Sequence, residues 1–360
     1  MNLAFFGSSL VSAYWNGAAT YYRGILRALH ERGHRIRFYE PDAYERQQHR
    51  DLVQDPPYAE VVVYPGDAAP HAVLALLEEA YSWADVCAKA SGVGVYDALL
   101  EQAVLDLRPE GKQAVFWDVD APATLDRVQN DPQDAFRSLI PRYHRILTYG
   151  GGEPVVQAYR ELGAKSCVPI YNALDPVTHH LAPPDLRFAA DLGFLGNRLP
   201  DREARVEEFF LHPATLLPDR SFLLGGNGWQ DKPMPQNVQY RGHVYTDDHN
   251  AFHRTPLAAL NISRESMARY GFSPATRVFE AAGAGACLIT DDWEGIEQFL
   301  EPDTEVLVAK NGAEVAAHLE ALTPERAQTI GEAARRRVLA EHTYTHRAAR
   351  VEAMLMEHTA

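Results

Sequence analysis

Two aspartates stand one residue apart at the end of an apolar run, in the segment FWDVDAP over residues 116–122. Two carboxylates at this spacing can hold a divalent cation, and a single carboxylate can take a proton from a hydroxyl group. If a strand ends here, Asp118 and Asp120 share one face and one of them projects beyond the sheet. A helix cap or loop would use the same residues, because Pro122 and Thr124 follow. As catalytic candidates we take Asp118 and Asp120, with Asp118 marginally favoured as a general base.

A second segment whose residues could bind a ligand is GFSPATRVFEAAGAGACLITDD, residues 271–292. Ser273 and Pro274 match N-cap and first-turn preferences, which predicts a helix start. Its free N–H groups and positive dipole end can bind a phosphate. A cation is electrostatically misplaced there, so Arg277 indicates a bound anion. Glu280 shares its helix face and could accept hydrogen bonds from a ribose diol. An exposed Arg–Glu pair is the alternative.

Two histidine pairs have the i,i+4 spacing of a zinc-binding helix. They are His249 with His253 and His342 with His346. Neither pair encloses the glutamate of a metalloprotease motif, so we interpret both as solvated helix faces.

Composition bounds the class of protein. The chain has 360 residues, 46% apolar and 23% charged, which predicts two domains with full cores. Its net charge of −15 would repel a polyanion, and the basic run Arg335–Arg337 reads as a solvated helix face, so no nucleic-acid partner is expected.

The cysteines and the first apolar stretch bear on location. Cys87, Cys167 and Cys287 are widely spaced in apolar settings, which predicts buried thiols in a reducing cytoplasm. Residues 2–22 are uncharged, but they lack a basic flank and contain interrupting Gly, Ser and Asn residues. We therefore expect no integral membrane segment.

Short apolar runs alternate with helical patterns in both halves of the chain, which predicts parallel βαβ units. The predicted strands are residues 3–6, 35–39, 61–64, 84–89, 114–117, 146–149, 190–195, 221–224, 238–240, 258–262, 286–290 and 305–308. The fold class is therefore α/β, with two facing Rossmann-like, doubly wound parallel-sheet domains. We place the N-terminal domain at 1–170, a linker at 171–188, the C-terminal domain at 189–330, and helices packing back toward the N-terminal domain at 331–360.

Ligands of open parallel sheets bind beyond the carboxyl ends of the strands. Small and polar residues follow the first strand, and a lysine ends another. A plain strand–helix turn would use the same residues. The predicted cleft residues are Gly7, Ser8, Asn16, Gly17 and Lys89, and the resemblance described below implies that they lie on the acceptor side.

Beyond these patterns, residues 271–292 resemble the donor-binding segment of group 1 glycosyltransferases with the GT-B fold. They are most similar to the CgeB-like branch, named for a spore-maturation protein, in which an Arg-x-Phe-Glu signature precedes a small-residue helix and a Leu-Ile/Leu-Thr-Asp strand end. Here these motifs are Arg277–Glu280 and Leu288–Asp291. Further similar segments are Tyr171–Pro176, Gly193–Arg198, Gly226–Trp229, Gly242–Val244, Tyr344–Arg347 and FWDVDAP.

The resemblance implies transfer of a sugar from a nucleotide diphosphate sugar, of UDP, GDP or dTDP type, to an acceptor hydroxyl or amine in an interdomain cleft. The acceptor is unknown and could be a small molecule, glycan or protein; no cofactor is implied. GT-B enzymes generally use basic side chains and helix dipoles in place of a divalent ion, so the expected reaction is metal-independent. The alternatives are a GT-B-type sugar-nucleotide epimerase and a non-catalytic sugar-nucleotide-binding protein.

The resemblance also implies roles for residues of the C-terminal domain. Glu280 matches the glutamate that holds the donor ribose, Arg277 would face the diphosphate, and Arg198 with Arg202 matches the basic pair that stabilises the leaving group. The implied donor-binding residues are Gly196, Asn197, Arg198, Arg202, Trp229, His243, Val244, Ser273, Ala275, Thr276, Arg277 and Glu280. Phe272 departs from the family, which often has a glutamate there, so a retaining mechanism does not carry over.

Overall fold

The computed structural model describes residues 1–357 and divides into two compact units. Unit 1 comprises residues 1–171 together with the chain from Tyr344 onward, and unit 2 comprises Asn172–Thr343. Each unit is built on one parallel sheet with flanking helices. The predicted fold class, two Rossmann-like parallel-sheet domains, is confirmed.

The sheet of unit 1 has seven strands in the order β3-β2-β1-β4-β5-β6-β7, all paired in parallel. The strands are β1 Asn2–Phe6, β2 Arg35–Asp42, β3 Glu60–Pro65, β4 Val86–Ala90, β5 Gln113–Asp118, β6 Arg145–Thr148 and β7 Cys167–Pro169. The helices are α1 Ala19–Glu31, α2 Pro70–Trp83, α3 Asp97–Asp106, α4 Ala121–Asn130, α5 Ala135–Leu139 and α6 Gly152–Glu161. The strand order reverses between β1 and β4, which makes their loops a natural binding edge.

The sheet of unit 2 has six strands in the order β10-β9-β8-β11-β12-β13, again all parallel. The strands are β8 Leu192–Leu195, β9 Phe222–Gly225, β10 Val238–Gly242, β11 Ala258–Asn261, β12 Leu288–Asp291 and β13 Leu307–Ala309. The helices are α7 Glu203–Val206, α8 His212–Leu216, α9 Thr246–Arg254, α10 Glu265–Tyr270, α11 Thr276–Gly283, α12 Gly312–Ala321 and α13 Pro324–Glu341, and a π-helical turn, Glu207–Leu211, joins α7 to α8. Here the order reverses between β8 and β11.

The apolar runs of the sequence become the central strands because helices cover both faces of each sheet. All five residues of β4 and all four of β8 are buried. Every strand predicted from these runs is present, and β7 is an additional strand of three residues. The cysteines are free and buried, as predicted.

The two C-terminal helices belong to different units. Helix α13 packs in unit 2, where a side chain on Gly331 would lie 2.4 Å from the carbonyl oxygen of Gly285. The last helix, α14 (Tyr344–Met356), packs on α1 in unit 1, where the ring of Tyr344 covers Gly24. Among residues 1–357, no helix combines the length and the apolar character that crossing a bilayer requires.

Candidate functional site

The loops that follow β8, β9 and β10 interlock at the carboxyl edge of the second sheet. The amide of Gly196 donates to the carbonyl of Gly225 over 2.9 Å, and the amide of Gly226 donates to Gly242 over 2.7 Å. The amide of Arg198 donates to the carbonyl of Asn227 over 2.9 Å. These backbone hydrogen bonds fix the loops after β8, β9 and β10 relative to one another.

Several residues predicted to bind the donor substrate instead support these loops from the protein side. Trp229 is buried, and its Nε1 donates to the carbonyl of Gly196 over 2.7 Å. The side-chain oxygen of Asn197 accepts from the amide of Asn227 over 2.8 Å. Val244 is buried in a small apolar cluster with Phe252. Trp229, Asn197 and Val244 thus hold the loops in place, and their buried contacts are with the protein itself.

Arg198 is engaged by carboxylates. Its Nε and Nη2 donate to Glu203 over 2.9 and 2.7 Å, and its Nη1 donates to Asp231 over 2.9 Å. The Glu203 hydrogen bonds, with those of Asp231, raise the pKa of Arg198. The charge of Arg198 is therefore balanced by two carboxylates. The basic pair predicted as Arg198 with Arg202 is instead formed by Arg202 with Arg277.

Arg202 and Arg277 converge on one aromatic ring. Their guanidinium carbons lie 5.8 and 5.6 Å from the ring centroid of Phe194, on β8. Nε of each is buried and has no hydrogen-bond partner among the described residues. Burial and the neighbouring Arg277 charge lower the pKa of Arg202, and burial lowers that of Arg277. Two partly buried cations without a carboxylate in hydrogen-bond contact form a site suited to a dianion.

The helix predicted over this segment, α11, begins at Thr276, with Ala275 as its N-cap and no side-chain cap. Ser273, predicted as the cap from its residue type, is buried and donates its hydroxyl to the carbonyl of Gly271 over 2.9 Å. The N-cap prediction for Ser273 is therefore wrong by two residues, because Ser273 bonds backward into its own turn. The first amides of α11, near Arg277, lack a side-chain acceptor.

Glu280 is 7% exposed, on the same helix. The exposed Arg–Glu pair considered from the sequence is therefore wrong for this segment. Nε2 of His179 lies 4.0 Å from Oε1 of Glu280.

The loop after β10 presents two aromatic rings to solvent. His243 is exposed and meets Tyr245 edge-on, with ring centroids 4.6 Å apart. Nδ1 of His243 lies 3.5 Å from Nδ2 of Asn227. Tyr245 is 70% exposed and was not among the predicted site residues. The signal that could have found it is an aromatic residue next to the predicted donor-binding residues His243 and Val244.

In unit 1, the two candidate aspartates have different environments. Asp118 is fully buried at the end of β5, and its Oδ1 accepts from the Ser91 hydroxyl over 2.7 Å and from the Thr124 hydroxyl over 3.0 Å. Its Oδ2 accepts from the Tyr159 hydroxyl over 2.5 Å. Burial raises the pKa of Asp118, and these hydrogen bonds oppose the rise. Asp120 is half-buried and serves as N-cap residue of α4.

The loop after β1 is fixed by internal hydrogen bonds. Asn16 is buried, accepts from the Ser8 hydroxyl over 3.0 Å, and donates to the carbonyls of Ser9 and Ser12. A side chain on Gly7 would lie 2.4 Å from the Phe38 ring, whereas Gly17 has open space. Ser8, Asn16 and Gly7 therefore shape the loop.

Lys89 is buried and makes an internal ion pair. Its Nζ lies 2.5 Å from Asp97 and 3.6 Å from Glu101, with the ammonium over the ring of Phe116. This geometry does not support the predicted role of Lys89 in a cleft, because its ammonium group is already paired with those two carboxylates.

The solvated-face interpretation of the histidine pairs is wrong for three of the four residues. His253 and His342 are buried, and His249 is half-buried. His346 is exposed, as expected. The polar pattern of α9 predicted an exposed face for His249 and His253. In the structure, residues of the segment before β8 cover that face.

Comparisons with known proteins agree with this architecture. Residues 202–353 match the family model described as "Glycosyl transferase-like". No curated protein matches the sequence.

Solved structures resemble the whole chain. HepE of Anabaena in complex with UDP and glucose has a TM-score of 0.71 at 13% identity, over 99% of each chain. Sucrose-phosphate synthase from Thermosynechococcus elongatus has a TM-score of 0.70 at 13% identity, over 98% of each chain. The T4 phage BGT in complex with its UDP-glucose substrate has a TM-score of 0.61 at 11% identity, over 99% of this chain and 100% of that one. The fold is accordingly that of GT-B glycosyltransferases.

Proposed function

We propose that this protein is a glycosyltransferase that uses a nucleotide diphosphate sugar as donor and needs no divalent metal. The proposed donor nucleotide is UDP, since two of the structurally similar proteins are complexes with UDP or UDP-glucose. The acceptor oxygen or nitrogen bonds to the anomeric carbon while the bond from that carbon to the diphosphate breaks. The nucleoside diphosphate leaves, and the acceptor proton passes to a carboxylate. We further propose that the chain belongs to the CgeB-like branch, on the basis of the motifs Arg277–Glu280 and Leu288–Asp291.

The observation that carries this proposal is the pair of guanidinium groups at Phe194. Arg202 and Arg277 lie within 6 Å of the same ring, as their 5.8 and 5.6 Å separations record, and they repel each other in the absence of an anion. A departing diphosphate gains negative charge, so preorganised cations stabilise the transition state more than the ground state. The uncapped amides of α11 add donors at the same place.

Neighbouring residues fit the rest of a nucleotide. Glu280 offers a carboxylate to the ribose diol, and the exposed rings of His243 and Tyr245 offer surfaces for the base. Arg198 is assigned a positioning role, because its contacts with Glu203 and Asp231 tie the β8 loop to the β9 loop.

For the proton transfer we favour Asp120, the reverse of the preference drawn from the sequence. Asp118 is enclosed by Ser91, Thr124 and Tyr159, so a substrate hydroxyl has no approach to its oxygens. The amide of Asp120 donates to Oδ1 of Asp118 over 3.0 Å. Asp118 therefore positions the loop that carries Asp120.

A thermal-shift titration with UDP, GDP, dTDP, ADP and CDP, each with and without EDTA, tests the proposal. A ligand at 100 times its Kd adds about 2.7 kcal/mol to the free energy of unfolding. We expect a shift with UDP that survives EDTA. A shift that EDTA abolishes would contradict metal independence, and no shift with any nucleotide would contradict a donor site.

Product analysis then separates the proposal from its alternatives. Incubation of the UDP-sugar with acceptor candidates should release UDP as the sugar is transferred. An epimerase would convert the donor sugar without any acceptor, and a non-catalytic protein would bind the donor without releasing UDP.

A further inference from the structure

A second cluster of polar side chains in unit 2 surrounds Glu280. His179 lies on the segment before β8, and His249 lies on α9. One ligand atom from each of His179, His249 and Glu280 lies within 4.8 Å of the other two. Two histidines and one glutamate are a donor set found in zinc sites that keep a fourth position open.

The hydrogen bond of His249 fixes which ring nitrogen can bind. Its Nε2 lies 3.2 Å from the carbonyl oxygen of Val244. A carbonyl oxygen only accepts, so in this pairing Nε2 carries the proton and Nδ1 keeps its lone pair. Nδ1 is buried and has no hydrogen-bond partner among the described residues. Metal-binding histidines typically donate their other N–H to a carbonyl in this way.

His179 supplies the second observation. Its side chain is 1% exposed, and neither ring nitrogen has a hydrogen-bond partner within residues 1–357. A buried polar group without a hydrogen-bond partner destabilises the fold, so a ligand that satisfies it is favoured. The ring of His249 does not supply a hydrogen bond to His179, because the centroids of the two rings lie 6.0 Å apart.

The backbone around His179 is held by α9 itself. Nδ2 of Asn250 donates to the carbonyl of Thr178 over 2.9 Å, and the amide of His180 donates to Oδ1 of Asn250 over 3.1 Å. His249, which precedes Asn250, is therefore tied to the segment that carries His179. Such support from neighbouring hydrogen bonds is what holds ligand side chains in place.

We propose that His179, His249 and Glu280 bind a divalent transition metal of the zinc class. Ligand bonds of about 2.0–2.2 Å require the three donor atoms to move closer together than they lie here. Water can complete the fourth position.

One consequence rests on the proposed function. Glu280 cannot bind a metal and hold the donor ribose with the same oxygens. Metal binding therefore excludes the nucleotide, and the ion acts as an inhibitor of a reaction that needs no metal.

Equilibrium dialysis of EDTA-treated full-length protein against Zn²⁺, followed by metal analysis, tests the site without any nucleotide. His179→Ala and His249→Ala each remove a ligand and should each weaken zinc binding at least about 10-fold, the lower end of the loss seen when only a partner of a ligand is removed. His71→Ala removes an exposed histidine on α2 and should leave binding unchanged. The more conservative variant His179→Asn controls for misfolding. Its melting temperature should be unchanged, so that a loss of zinc binding in this variant reflects the missing ligand. Absence of a zinc equivalent in the wild type, or equal affinity in the wild type and both alanine variants, would overturn the proposal.

A second titration, of UDP into the zinc-loaded protein, tests the exclusion. Saturating zinc should weaken UDP binding at least tenfold, and an unchanged UDP affinity would overturn the exclusion. The two failures are distinguishable. Protein that binds UDP but no zinc keeps the proposed function and loses the metal site, whereas protein that binds zinc but no nucleotide keeps the metal site and loses the proposed function.

Discussion

Arg202 and Arg277 direct their guanidinium groups to the same ring, that of Phe194, at 5.8 and 5.6 Å. Neither has a carboxylate in hydrogen-bond contact among the described residues, whereas Arg198 nearby has Glu203 and Asp231. Like charges held together in partial burial lower stability, and proteins retain such arrangements where a ligand compensates.

The first prediction concerns these two arginines. Arg202→Met and Arg277→Met keep the apolar stem and remove the charge, so each should weaken UDP binding by about 1.5–3 kcal/mol, roughly 10- to 150-fold. The melting temperature of the ligand-free protein should not fall, because a repulsion is relieved. Calorimetric titration and melting curves measure both effects. Arg336→Met, on the exposed face of α13, is the matched control and should change neither. A lower melting temperature with unchanged affinity would assign these arginines a structural role.

The second prediction separates the two aspartates of unit 1. Asp118→Ala leaves the buried donors of Ser91 and Tyr159 unpaired, so unfolding should become easier by about 2 kcal/mol or more. Asp120→Asn should affect stability less and should abolish most of the transfer activity while sparing UDP binding. Denaturant unfolding and a UDP-release assay supply the two readouts. Glu110→Gln removes an exposed carboxylate of the same unit and serves as control. Full activity in Asp120→Asn would refute its assignment as base.

The third prediction concerns the interlocked loops of unit 2. Gly226 has φ +115°, and a side chain there would lie 2.3 Å from the carbonyl oxygen of Gly196. Gly242 has φ +71° with open space around it. Gly226→Ala should therefore lower the free energy of unfolding by clearly more than the roughly 1 kcal/mol expected for Gly242→Ala from backbone conformation alone. Equal losses in denaturant unfolding would mean that the β8 and β9 loops tolerate separation.

The fourth prediction concerns pH and the thiols. Burial raises the pKa of each of Cys87, Cys167 and Cys287 to about 12. At pH 8 the thiolate fraction of each is then about 10⁻⁴, so native protein should not react with a disulfide reagent, and three thiols should react in denaturant.

The sign of the matching stability effect follows from the same pKa values. A thiol whose pKa is higher in the folded state than in the unfolded chain stabilises the fold fully at pH values below its unfolded pKa, near 8.5. This contribution declines as the pH rises toward the folded-state pKa of about 12. Stability measured by denaturant unfolding should therefore fall across that range. Rapid reaction of a thiol at pH 8 in native protein would contradict the assigned burial.

Local pattern predicts the sheets well, because a strand buried on both faces must be an apolar run. Leu192–Leu195 and Val86–Ala90 are such strands, and both were predicted. The strand Cys167–Pro169 was missed because three residues carry no periodic signal.

Side-chain environments were less predictable, because distant elements set them. Asp118 owes its enclosure to Ser91, which is 27 residues away, and to Tyr159, which is 41 residues away. The sequence likewise indicated a binding role for Arg277 but gave no sign that His179 and His249 would meet beside Glu280. Their proximity depends on the segment before β8 lying across α9, which no local pattern records.

The diphosphate site can be tested by a calorimetric titration of UDP into EDTA-treated wild-type protein, with Arg277→Met measured in parallel. We predict saturable binding at one site in the wild type without added metal, and at least tenfold weaker binding in the variant. Equal affinity in both proteins, or binding that appears only after a divalent metal is added, would contradict a metal-independent diphosphate site at Arg202 and Arg277.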